Sequence, residues 1–125
     1  MESVSISLMG EVEKAVRENP DAVVCLVDSD GIFAYMSPSV EGYHGYKPEE
    51  AIGHQFTEFF PPNEASHLEL GLQDALLTGQ SVELTRNVKH KSGGTRRMRG
   101  AAHRLFDEAS GNFYVLSIGR PCGDA

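Results

Sequence analysis

The 125-residue chain carries 11 Lys and Arg against 18 Asp and Glu, a formal net charge of −7, which argues against nucleic-acid binding and favours solubility. Its length suits one domain able to bury over half of its unfolded surface, and no apolar run approaches the roughly 20 residues of a membrane helix. The start, MESVSISLMGEVEK, lacks the basic region and long apolar core of a signal peptide, so a cytoplasmic location is expected.

Residues 4–18 read as an amphipathic helix. Leu8, Val12, Ala15 and Val16 recur at helical spacing with Met9 beside them, and Glu11, Glu13, Lys14, Arg17 and Glu18 fill the other side. Asn19-Pro20 ends it. This apolar stripe must be covered, either by the chain's own sheet or by a second copy. The ending Arg120-Pro121 offers no downstream helix to share the sheet. A homodimer through Leu8, Met9, Val12 and Val16 is therefore expected.

Two short apolar runs follow, Ala22–Val27 and Ile32–Met36, joined by Asp28-Ser29-Asp30-Gly31. Asp-Gly between β-branched and aromatic residues is a hairpin signal, because glycine takes positive φ without a steric penalty. Ser37-Pro38-Ser39 stops the second strand, and either serine can cap a following helix on which Val40 and Tyr43 share a face. Gly45-Tyr46 ends that helix. Pro48-Glu49-Glu50 opens another, with acids near its positive end, and Ile52-Gly53 closes it. Gln55–Pro62 reads as an apolar turn and loop.

Residues 63–78 form the longest internal helix, with Asn63 as its cap and Ala65, Leu68, Leu72, Ala75 and Leu76 as its core face. Gly79 fits the stop. Gly71, in mid-helix, costs about 1 kcal/mol against alanine, so close packing or a nearby ligand is expected there. Three strands complete the chain. Ser81–Lys89 sets Val82, Leu84, Arg86 and Val88 against Glu83, Thr85, Asn87 and Lys89; Thr95–Phe106 is long, with Gly100, Ala101 and Ala102 in its middle; Phe113–Arg120 is last. The fold class is α+β: a five-stranded antiparallel sheet with short helices and one longer helix on one face, plus the N-terminal amphipathic helix. The expected divisions are 1–19 (cap helix), 20–120 (main domain) and 121–125 (loose tail).

Asp28, Gly31, Phe33, Tyr35, Ser37-Pro38, Gly45-Tyr46, Pro48-Glu49-Glu50 and Ile52-Gly53 stand in the order and spacing of the opening half of a PAS domain, and His90–Thr95 is similar to that family's later K-D-G hairpin. The resemblance covers residues 20–120. It implies a sensory or interaction module with an interior pocket that holds haem, flavin, a small metabolite or nothing. It also implies a lining of Phe33, Tyr35, Tyr43, Phe56, Leu68 and Leu72. Family members usually end the last strand with a short acidic-Ile-Thr motif that leads to a downstream effector helix. Here Pro121-Cys122-Gly123 follows Arg120, so either signalling leaves by another route or the domain stands alone; nothing resembles a histidine-kinase or cyclase region, so such an effector would lie outside this chain.

The cofactor is left unknown. Residues 39–60 contain no cysteine for a flavin adduct, and the chain has no tryptophan as an electron donor. Family haem sensors place the axial histidine on the long helix, but His67 falls over 90° from the centre of the core stripe. Haem and flavin are therefore not expected. His44 sits at a helix end, and neither the histidines nor Cys25 and Cys122 have metal spacing. Arg86 is the odd residue on an apolar strand face. It is either an anchor for a ligand carboxylate or phosphate, or the partner of Glu41 or Glu50, or a sign that the face is half buried. The basic run Arg96, Arg97, Arg99 and Arg104 alternates between faces and forms no single patch. No catalytic triad, nucleophile elbow or phosphate loop appears, so no enzymatic activity is expected.

Overall fold

The computed structural model describes residues 4–122. Five strands pair antiparallel in the order β2-β1-β5-β4-β3: β1 Val23–Asp28, β2 Phe33–Met36, β3 Val82–Lys89, β4 Thr95–Asp107 and β5 Asn112–Pro121. The helices are α1 Ile6–Glu18, α2 Val40–His44, α3 Pro48–Ala51 and α4 Pro62–Thr78, with a 3₁₀ turn over Phe56–Phe59. The α+β class is as the sequence implies.

Local chemistry starts the sheet. Asp28 Oδ1 accepts from the backbone N–H of Asp30 and of Ile32, both at 2.9 Å, and Gly31 turns the chain with φ 83°. Ser37 and Ser39 act differently from the expected cap. Ser37 Oγ accepts from Val24 N–H at 2.9 Å, and the Ser39 hydroxyl donates to Ala22 O at 2.6 Å. Both hydroxyls face β1 and satisfy its backbone, so neither serves α2. Asn63 is not the cap of α4 either. Pro61 and Pro62 start that helix a turn position earlier, because proline is preorganised for the first helical residue.

Alternation along the strands builds two cores. One face of the sheet carries Val24, Leu26, Tyr114 and Leu116 and packs against Leu8, Val12 and Ala15 of α1. The other carries Val23, Val27, Met98 and Val115 and packs under α2, α3, the 3₁₀ turn and α4. Ser5 holds α1 in place: its hydroxyl oxygen accepts from Leu8 N–H at 3.1 Å and its O–H donates to Asp107 Oδ1 at 2.6 Å.

This arrangement corrects two of the residues expected at a dimer contact. Leu8 and Val12 are 2% and 0% exposed within one chain, because the sheet face left bare by α2–α4 is apolar enough to bind α1 itself. Met9 and Val16 remain half-buried at the edge of that contact.

A second correction concerns Tyr35. The β1–β2 register runs Leu26↔Tyr35 and then Val27↔Phe33, which leaves Ala34 as an extra residue in β2. That bulge breaks the two-residue period. Phe33 faces the inner core, whereas Ala34 and Tyr35 both pack on the α1 side. At the other end, β5 runs through Pro121, paired with Met98, and Cys122 N–H donates to Arg97 O. Pro121 and Cys122, expected in the tail, are thus held against β4; residues 123–125 lie outside the described residues, as do residues 1–3 of the N-terminal segment.

Candidate ligand site

The inner face of the sheet does not meet its helices everywhere. Two adjoining cavities lie beneath them, of about 60 Å³ and about 90 Å³. They share a wall made by Cys25, Phe33, Phe60, Arg86 and Ser117. The larger lobe lies under α4 and is closed by Val27, Phe56, Leu68, Gly71, Leu72, Ala75, Leu84 and Val115. The smaller lobe lies under α2 and α3 and adds Val40, His44, Tyr46, Phe59, Val88 and Met98.

Of the residues the sequence singles out, Phe33, Phe56, Leu68, Leu72 and Arg86 meet at these cavities. Tyr35 lies on the opposite face for the reason given above. Tyr43 stays at the margin of the core, where its hydroxyl donates to Asp21 O at 2.6 Å. His67 is on the exposed side of α4. Among the described residues no three His, Cys, Asp or Glu side chains cluster closely enough to hold a metal ion.

Arg86 is the central polar residue. Its Nη2 donates to Ser117 Oγ at 3.0 Å, and its guanidinium lies 5.7 Å from the centroid of the Phe60 ring. The acids named as its alternatives are engaged elsewhere or distant. Glu50 pairs with Lys91 at 2.7 Å, and Glu41 is exposed. Glu64, on α4, accepts from the backbone and side-chain nitrogens of Asn87, each at 3.0 Å. Among the described residues no carboxylate is within salt-bridge distance of Arg86. Burial pulls its pKa below the ordinary arginine value.

Sequence reasoning missed His44 as a wall residue. It does end α2, but it is only 3% exposed, and its Nδ1 has no hydrogen-bond partner. Burial first, then the charges of His90, Arg86 and Arg96, push its pKa down to about 4, so it is neutral near pH 7. A signal was present: Val40 faces the core, and residue i+4 of a helix lies over residue i. Cys25, half-buried on β1, lines both lobes. Burial raises its pKa to about 11, which keeps it protonated and unreactive.

An antiparallel sheet in this strand order, with three short helical turns and one long helix over one face, defines an α+β domain with interior cavities. The sequence profile of the PAS fold matches residues 17–121, and the chain belongs to that family. PAS domains are sensory and signalling modules.

Among individual proteins, White collar 2 protein of Neurospora crassa is 31% identical over 68 residues, a match spanning 54% of this chain and only 13% of that protein. A PAS domain from Colwellia psychrerythraea superposes with a TM-score of 0.75 at 18% identity, covering 91% of this chain and 99% of its own. The PAS domain of the Cronobacter turicensis RpfR quorum-sensing receptor in complex with C12:0 superposes with a TM-score of 0.68 at 25% identity, covering 82% of this chain and 95% of its own.

Proposed function

We propose that this chain is the sensory domain of a cytoplasmic signalling protein, and that it binds a small, mostly apolar molecule inside the fold. The observation that carries this reading is the open space at Gly71. Glycine in mid-helix weakens α4 by about 1 kcal/mol against alanine. No protein contact requires it, since a Cβ there would meet nothing within 4 Å. Gly71 instead lines the 90 Å³ lobe, where the missing side chain leaves room for a guest. The C12:0 complex of the Cronobacter turicensis domain is consistent with an interior guest in a related fold.

The relay follows from what α4 touches. Glu64 ties it to Asn87 on β3, and Arg104 on β4 donates to Leu76 O at 2.8 Å. A guest between α4 and the sheet would strain both ties and shift α4 against β3 and β4. The population of the shifted packing then reports occupancy to an effector, such as a histidine kinase or cyclase, outside this chain. Homodimerisation belongs to the same reading, with α1 contributing the half-buried Met9 and Val16 at its edge rather than Leu8 and Val12.

Mass spectrometry of the freshly purified chain under non-denaturing conditions tests this. A small molecule that co-purifies and leaves on denaturation is the expected outcome. Substituting Gly71 with leucine should displace it while the fold persists by circular dichroism. Unchanged occupancy in Gly71→Leu would place any guest elsewhere.

A further inference from the structure

The 60 Å³ lobe is lined by two polar groups whose hydrogen-bonding capacity protein contacts leave partly unused. Arg86 projects from β3 with its planar fork of five N–H donors, and among the described residues its one hydrogen bond is to Ser117 Oγ. His44, from α2, lines the same lobe with its Nδ1 unpartnered. Burying the His44 nitrogen without a partner is unfavourable, and among the described residues no carboxylate is within salt-bridge distance of the half-buried Arg86. The other polar side chains shared by the two lobes, the Cys25 thiol and the Ser117 hydroxyl, are neutral. The lining of the two lobes therefore carries one positive charge and no carboxylate, while Glu64 on α4 acts on Arg86 from outside them. Beyond Phe60 and Arg86 the second lobe is apolar, lined by Val27, Phe56, Leu68 and Leu72.

A molecule spanning both lobes would have an anionic head and a short apolar body. Resting on the interior-ligand reading above, we propose that the ligand is a small organic acid whose carboxylate is held jointly by Arg86 and His44. A planar carboxylate matches the guanidinium fork, and its second oxygen can accept a proton-bearing imidazole nitrogen. Lobes of 60 and 90 Å³ set the size. A cavity of about 150 Å³ takes one benzene, so a body of about six to eight heavy atoms fits without expansion.

The same geometry couples loading to protons. The charged or titratable groups acting on His44 are Arg86 on β3, His90 just past it and Arg96 on β4, all of one sign when charged, with Cys25 neutral on β1. A bound carboxylate would be the first anion in that set, so His44 takes up a proton as the acid enters.

Calorimetric titration of the chain with hexanoate and with 1-hexanol, near pH 6 in two buffers of different ionisation enthalpy, decides the matter. Hexanoate should bind at least about tenfold more tightly than 1-hexanol, with net proton uptake. Arg86→Gln should erase the preference, and His44→Phe should abolish the proton uptake while hexanoate still binds. Equal affinity for the two probes would overturn the clamp and leave the interior-ligand reading standing. Binding of neither would overturn both. A hexanoate preference that survives in Arg86→Gln would place the acid elsewhere and overturn the assignment. Should Arg86→Gln fail to fold, the probe ratio and proton uptake of the unmodified chain still decide for or against the clamp.

Discussion

Truncating Leu8 to alanine tests whether α1 belongs to its own sheet. Leu8 is 2% exposed and lies with Val12 against Val24, Leu26, Tyr114 and Leu116. Removing a buried leucine side chain costs about 2–5 kcal/mol, set by how far the surroundings collapse. A helix on the outside of a sheet can settle part of the way into the gap, so about 3 kcal/mol is expected. For a domain of this size each kcal/mol lowers the melting temperature by about 3–6 °C, so Leu8→Ala should lower it by roughly 10–15 °C. Ile6, two residues earlier on the same helix, is 93% exposed. Ile6→Ala should stay within about 0.5 kcal/mol of the parent. Urea and thermal unfolding of the parent and both variants, each at low and high protein concentration, give the comparison. Equal destabilisation by the two substitutions would refute the packing of α1 on its own sheet.

Three further outcomes follow from the same geometry. Ser37→Ala removes the acceptor of the buried Val24 N–H and should cost about 1–3 kcal/mol in urea unfolding, although the change is one oxygen atom. Gly100→Ala and Gly119→Ala form a matched pair on facing positions of β4 and β5. A Cβ at Gly100 would run into the backbone carbonyl of Ile118, whereas one at Gly119 meets its nearest atom, Arg99 O, at 3.8 Å. Only the first should destabilise, by about 2 kcal/mol or more, in a thermal melt. The folded-state pKa of His44 is depressed from 6.5 to about 4, so only the unfolded chain takes the proton between those values. Stability should be complete above about pH 6.5 and fall as pH drops towards 4, by about 2 kcal/mol after allowance for solvent screening, and His44→Phe should flatten that slope in urea titrations at stepped pH.

Much of the fold was legible because it rests on local chemistry. The Asp28–Gly31 turn, the proline start of α3, the Leu68–Leu72–Ala75 stripe of α4 and the two-residue alternation of β3 and β5 each follow from backbone preference or periodicity within a few residues. Order and spacing of those signals sufficed for the family. The candidate site was legible only in part. Leu68, Leu72 and Arg86 carried their position in their period, Phe33 and Phe56 in the family resemblance, and the structure brings all five to one interior. Tyr35 carried the same period as Phe33, and the period misled.

The sequence alone determined the strand count, the α+β class and, outside the bulged β2, which residues of each strand share a face. Tertiary structure decided what those faces meet. The bulge at Ala34 turns Tyr35 towards α1, a choice made by the register of β2 against β1. The apolar outer face of the sheet claims Leu8 and Val12, which a helical wheel leaves equally free for a partner. Among the described residues no acid forms an ion pair with Arg86, since Glu50 and Glu64 are engaged by Lys91 and Asn87 instead. His44 becomes a buried, unpartnered wall residue only when α2 folds over β3 and β5. Periodicity is a property of a few successive residues, whereas registers, interior space and unpaired charge depend on chain segments brought together from far apart in sequence.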